Sequence, residues 1–136
     1  VLQSCQTCRM KVVAVIGASQ DPRKFGNKAV RAFLHRGYEV VPVNPGAASA
    51  DHTIEGLLAQ ASVLDIPGHV DLATLYVPPE VGEQVVPEIA QKNIRELWVN
   101  PGAESGAVVA RAHELGLHVT LQCSIVAIGE SPVDYK

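Results

Sequence analysis

Residues 12–22 read VVAVIGASQDP, and this stretch limits the possible folds more tightly than any other. A run of β-branched and apolar residues stops at Gly17, small residues follow, and an amphipathic segment begins near Gly26. A strand with one solvated face would alternate apolar with polar residues, so this run predicts a strand buried on both faces. Gly17-Ala18-Ser19 then reads as a tight turn into a helix. Unpaired backbone N–H groups and the positive end of a helix dipole converge at such a turn, which suits it to a phosphate or another anion. The same three residues would equally serve a plain strand-to-helix connection, so the surroundings must decide.

Residues 26–36 carry Val30, Phe33 and Leu34 at helical spacing, Gly37 stops the helix, and residues 38–43 form the next strand before Asn44-Pro45-Gly46. Strand, turn, helix and strand make a βαβ unit with parallel strands and a right-handed crossover. Residues 47–69 are the least regular. Ile54, Leu57 and Leu58 suggest one or two turns of helix, and residues 62–66 a short edge strand. Residues 71–77, DLATLYV, predict a strand stopped by Pro78-Pro79. Val81, Val85, Val86, Ile89 and Ala90 then line one helix face, with Pro87 predicting a kink or early break. Residues 96–99 form a strand ending at Asn100-Pro101-Gly102. A helix over 104–115 turns Val108, Val109, Ala112 and Leu115 inward, with Glu104 serving its first turn, and residues 117–121 form the last strand. A closing loop or short helix covers 122–129. The order predicts an α/β fold: a doubly wound parallel sheet of about five strands with helices on both faces. Residues 11–130 make one domain, flanked by tails at 1–10 and 131–136.

Hydrophobic residues at 47% against 18% charged suit strands buried on both faces. The net charge of −3, without a basic stripe, argues against a nucleic-acid partner. No apolar run approaches the ~20 residues of a membrane span, and the first ten residues do not resemble a secretory signal, so a cytoplasmic location is expected. Cys5 and Cys8 have the spacing of half a zinc site or a redox pair. With no second pair or nearby histidine they read as free thiols, and no metal site is expected.

Ligands of open parallel sheets bind at the carboxyl ends of the strands. Four such ends stand out: Gly17-Ala18-Ser19, Asn44-Pro45, Pro78-Pro79 and Asn100-Pro101-Gly102. None carries a nucleophile beside a base, so no catalytic residue is assigned. At the first, the Ser19 hydroxyl could join the backbone on a phosphate, and Arg23, Lys24 and Lys28 offer cations, each of which could also be a solvated surface charge. At the second, an NAD site would carry Asp or Glu for the ribose hydroxyls. Asn44 stands there instead, which disfavours NAD and tolerates a phosphorylated ribose. His35, His52, His69, His113 and His118 read as solvated, without carboxylate partners, and Cys123 as a buried structural thiol.

VAVIGASQDPRKFGNKAVRAFLHRGYEVVPVNP, DLATLYVPPE and ELWVNPGAES together resemble the small stand-alone CoA-binding domain proteins, whose Rossmann-like fold is that of the N-terminal domain of the succinyl-CoA ligase alpha subunit. The resemblance implies that Gly17, Ala18 and Ser19 hold the CoA diphosphate, assisted by Arg23 or Lys24. It implies that Asn44 and Pro45 lie by the adenosine and its 3′-phosphate, that Tyr76, Val77, Pro78 and Pro79 border the ligand, and that Asn100, Pro101 and Gly102 face the pantetheine. The expected function is binding of CoA or an acyl-CoA without chemistry of its own, with a homodimer left open. Two other readings remain, a small NAD(P)-linked oxidoreductase or redox sensor and a scaffold without a ligand. Gly17→Val is expected to abolish ligand binding with the fold intact, which would separate the first reading from the scaffold.

Overall fold

The strand over Val12–Ile16 (β1) lies inside a five-stranded sheet and is buried along nearly its whole length, as its unbroken apolar run requires. The computed structural model describes residues 10–136. The Cys5–Cys8 pair lies outside the described residues. After β1 come a helix over Phe25–His35 (α1) and a strand over Glu39–Val43 (β2), which pairs parallel with β1. β2 lies at the sheet edge, where Pro42 can lack an N–H without breaking the ladder.

The chain then caps the cleft end of β2 with a short helix over Pro45–Ser49 (α2) and a two-stranded hairpin, Thr53–Ile54 (β3) and Leu57–Leu58 (β4). The helix expected around Ile54 and Leu57 is therefore wrong. Glu55 and Gly56 both have positive φ, at 51° and 78°, which is the two-residue turn that matches strand twist. Residues 62–66 likewise form a 3-10 turn over Val63–Asp65 rather than a strand, because the Ser62 hydroxyl accepts from the Leu64 N–H and caps it.

The other side of β1 receives the strand over Leu72–Leu75 (β5), followed by a helix over Pro79–Gln91 (α3), a strand over Glu96–Val99 (β6), a helix over Gly106–Glu114 (α4), a strand over His118–Leu121 (β7) and a short helix over Ser124–Ala127 (α5). The spatial order β2-β1-β5-β6-β7, parallel throughout, is a doubly wound α/β sheet. Val86, Ile89, Val108 and Ala112 from α3 and α4 pack on one face. Ala29, Val30, Phe33 and Ile125 from α1 and α5 pack on the other. Leu34, expected inward, is exposed. Pro87 does not end α3, since the carbonyl it leaves unbonded belongs to Glu83, an exposed residue that water can serve. Glu104 falls before the first turn of α4. Ser105 caps that helix, and the Glu104 carboxylate accepts from the Gly102 N–H instead. Among the described residues no helix is long and apolar enough to cross a membrane.

Residues 131–136, expected as a tail, fold back on α1. A 3-10 turn over Pro132–Asp134 carries Tyr135 onto the core beneath the Arg31 guanidinium, with the ring centroid 5.5 Å away. The Tyr135 hydroxyl donates to Glu130, which pushes the phenol up to about 12. A raised pKa means the contact stabilises fully below the ordinary tyrosine value and is lost as pH rises through about 12. Absorbance titration, with Tyr135→Phe assigning the transition, should show that midpoint, and Glu130→Gln should bring it down toward 10. An unchanged midpoint would show that Glu130 does not hold the phenol.

Candidate functional site

β1 ends at the point where strand order reverses, since β2 is reached on one side and β5 on the other. In doubly wound sheets this is where ligands bind. The Gly17 N–H donates to Val43 at 3.1 Å and the Tyr76 N–H to Ile16 at 2.8 Å, so the ladder holds all three strand ends together. Gly17 has φ +94°, and a Cβ built there would lie 2.8 Å from the Tyr76 backbone. A Cβ on Gly26 would lie 2.1 Å from the Gly17 carbonyl oxygen. Only residues without side chains let β1, β5 and α1 meet so closely.

Two asparagines pin the turn. Asn44 donates through Nδ2 to the Ala18 carbonyl at 2.8 Å, while its Oδ1 accepts the Ala47 N–H at 3.1 Å and caps α2. Asn27, fully buried on α1, donates to the Ser19 carbonyl at 2.9 Å and to Glu55 at 3.1 Å, and accepts from Arg31 at 2.8 Å. With the Ala18 and Ser19 carbonyls turned toward these amides, their N–H groups have no hydrogen-bond partner among the described residues. The Ser19 Oγ accepts from the Asp21 N–H at 3.0 Å, which leaves its own proton free to donate outward.

A cleft of about 670 Å³ opens over this turn, and Lys24 and the first residues of α1 border it. No side chain caps the N-terminus of α1 or of α3, so both helices turn positive dipole ends to this end of the sheet. Among the described residues the Phe25 and Gly26 N–H groups of α1 have no hydrogen-bond partner, whereas α3, with Pro78 as its cap and Pro79 as its first residue, leaves only that of Glu80. Burial, and secondarily the neighbouring Cys123, push up the Tyr76 phenol.

The CoA binding domain family matches residues 11–129. The chain belongs to that family. It is 37% identical over 118 residues to the alpha subunit of ADP-forming acetate–CoA ligase II of Pyrococcus furiosus, covering 79% of this chain and 25% of that subunit. The chain thus spans about a quarter of that relative's length. A conserved hypothetical protein from Pyrococcus furiosus superposes with a TM-score of 0.78 at 36% identity, covering 88% of this chain and 99% of that one. YneT of Bacillus subtilis is 26% identical over 117 residues, 86% of this chain and 84% of YneT.

In this CoA-binding domain, Gly17, Ala18, Ser19 and Lys24 come together on one side of the cleft. Asn44, Pro45, Tyr76, Val77, Pro78, Pro101 and Gly102 also border it. Three expected residues do not. Arg23 points to solvent and is bound by Asp21, whose carboxylate accepts from it at 3.1 Å and whose pKa that contact lowers to about 2. Pro79 starts α3 behind the rim. Asn100 is buried at 1% exposure, donating to Thr74 at 2.7 Å and to the Leu75 carbonyl at 2.9 Å and accepting from the Ser124 N–H at 2.8 Å, so it braces β5, β6 and α5. Lys28 lies over the Phe25 ring, 5.3 Å from its centroid. His35, His69 and His118, expected without carboxylate partners, are exposed but meet Glu130, Asp71 and Glu96, which are partly buried. Cys123 is half-buried against the core, and among the described residues no cluster of three or more His, Cys, Asp or Glu could hold a metal.

Sequence reading missed Asn27, which looks like an ordinary helix polar residue until its complete burial is seen, and Gly26, whose role depends on where α1 crosses β1. The contact at Gly17 also corrects the expectation that Gly17→Val spares the fold. Gly26→Ala should lower stability to urea by about 2 kcal/mol or more through overpacking. Gly106→Ala, with open space around the new methyl, should stay within about 0.5 kcal/mol of wild type. Equal stability of the two variants would contradict the close approach.

Proposed function

We propose that the protein binds CoA or an acyl-CoA, with the diphosphate on the Gly17 turn, and does no chemistry of its own. One observation carries the reading. The junction of β1, β5 and α1 is closed to side chains and leaves the Ala18 and Ser19 N–H groups unbonded beside Lys24. Such a group of donors fits a diphosphate, whose oxygens accept several short bonds and carry the charge that helix N-termini and a lysine favour. Membership of the CoA binding domain family supplies the rest of the molecule.

In this reading Lys24 neutralises phosphate charge, the Ser19 hydroxyl donates to it, and Pro45, Val77 and Pro78 flank the ligand. Asn44 acts mainly by holding the turn, because both ends of its amide are engaged within the protein. Pro101 and Gly102 border the side from which the pantetheine leaves. The thiol or thioester is the chemistry CoA supplies. The chain contributes binding and orientation. An NAD(P)-linked enzyme lacks support at the end of β2, where Asn44 replaces the ribose-binding acid.

Isothermal titration tests this reading. CoA should bind, and NAD should bind far more weakly. Lys24→Ala should weaken CoA about five- to tenfold, as expected for a partly exposed charge-assisted contact. Arg23→Ala should change it less than twofold, since Asp21 already neutralises that guanidinium. Binding of NAD without CoA would favour the oxidoreductase, and binding of neither would favour the scaffold.

A further inference from the structure

Away from the Gly17 turn, the cleft is bordered by α3 and by the segment that follows β4. Its walls are apolar: Ala61 and Val63 on one side, Val81 and Val85 on the other. One charged group borders this region, Glu88. Val81, Val85 and Glu88 are spaced i, i+4 and i+7, so they form one stripe along the same face of the helix. Sequence reading passed over Glu88, because alone it looks like a solvated helix carboxylate.

The Glu88 carboxylate is held in place. Its Oε1 accepts from the Ser62 hydroxyl at 2.6 Å, and the Ser62 oxygen accepts in turn from the Leu64 N–H at 3.1 Å. Among the described residues no cation pairs with it, and the lysine one turn further on, Lys92, donates to the Ile66 carbonyl instead. An ionised carboxylate only accepts hydrogen bonds and has capacity for more than one donor. The cleft is therefore bipolar, with donors and positive charge at the Gly17 end and a fixed acceptor at the other. From the start of α3 to Glu88 is nine residues, or about 13 Å along the helix. That suits a nucleotide extended from its phosphates to its base.

We propose that Glu88 reads the base. The apolar slot takes the flat purine ring, and the Glu88 carboxylate accepts a hydrogen bond from the exocyclic 6-amino group, so the site selects 6-aminopurines over 6-oxopurines. This inference rests on the CoA reading above and names the residue that makes that ligand an adenine nucleotide. With the ring in the same register, a 6-oxo group sets acceptor against acceptor and leaves a partly buried charge facing a lone pair, and the N1–H of a 6-oxopurine reaches Glu88 only by a shift of the ring.

The test compares CoA with its counterpart in which hypoxanthine replaces adenine, by calorimetry on wild type and on Glu88→Gln. Wild type should bind CoA at least about tenfold more tightly than the hypoxanthine compound. The glutamine amide can accept or donate, so Glu88→Gln should close that gap to within about threefold, mainly by losing affinity for CoA. Equal binding of the two compounds by wild type would overturn the assignment while leaving CoA binding intact, and needs no variant. A gap that survives in Glu88→Gln, or an equal loss for both compounds, would overturn it as well. Binding of neither compound by wild type would instead remove the CoA reading on which the inference rests.

Discussion

Three segments of backbone meet at Gly17 with no room for a side chain between them, and the rest of the molecule is arranged to keep them there. The end of β5 passes so close that a Cβ on Gly17 would lie 2.8 Å from the Tyr76 backbone, and the start of α1 lies closer still at Gly26. Contact at this range fixes the direction in which α1 leaves the sheet and points its N-terminus at the switch point. It also leaves the Ala18 and Ser19 N–H groups without a partner among the described residues, while Asn44 and Asn27 hold the carbonyls of the same two residues. The anion binding we propose is thus a by-product of how the fold closes at this point.

This junction explains why polar residues usually placed on surfaces are buried here. Asn27 and Asn100 are almost wholly inside, and both use donor and acceptor ends, so neither leaves an unmatched polar atom. They belong to the frame of the site. The groups left to meet a ligand are few: backbone N–H, the Ser19 hydroxyl, Lys24 and, at the far end, Glu88. Donors cluster at one end and the acceptor stands at the other, and in the proposed reading this orients a ligand carrying phosphate at one end and an amino group at the other.

The parallel sheet was legible in the chain because each central strand is a continuous apolar run stopped by Gly or Pro, and the amphipathic stripes of α1, α3 and α4 lie between those runs. The hairpin of β3 and β4 was not. Ile54, Leu57 and Leu58 have helical spacing, and the deciding information lay in Glu55-Gly56, a pair that accepts left-handed backbone. Of the cleft, the Gly17 turn and the end of β2 were readable as lining because glycine and strand-end position carry a physical meaning of their own. Arg23 and Asn100 were misplaced for one reason: proximity in sequence to a strand end says nothing of where a side chain points. Asp21 captures the first and the buried Thr74–Ser124 pair the second. Glu88, Ala61 and Val63 could not be found from local pattern, since they join the cleft only through the crossing of α3 over the segment after β4.

The central claim is that the bare amides at the switch point receive the phosphates. The most direct measurement is the amide spectrum of the ¹⁵N-labelled protein titrated with CoA. Saturable shifts should be largest at Ala18 and Ser19, extend into the first turn of α1, and follow the same curve as the calorimetric affinity. Shifts that leave those two amides unmoved while residues elsewhere respond would contradict it.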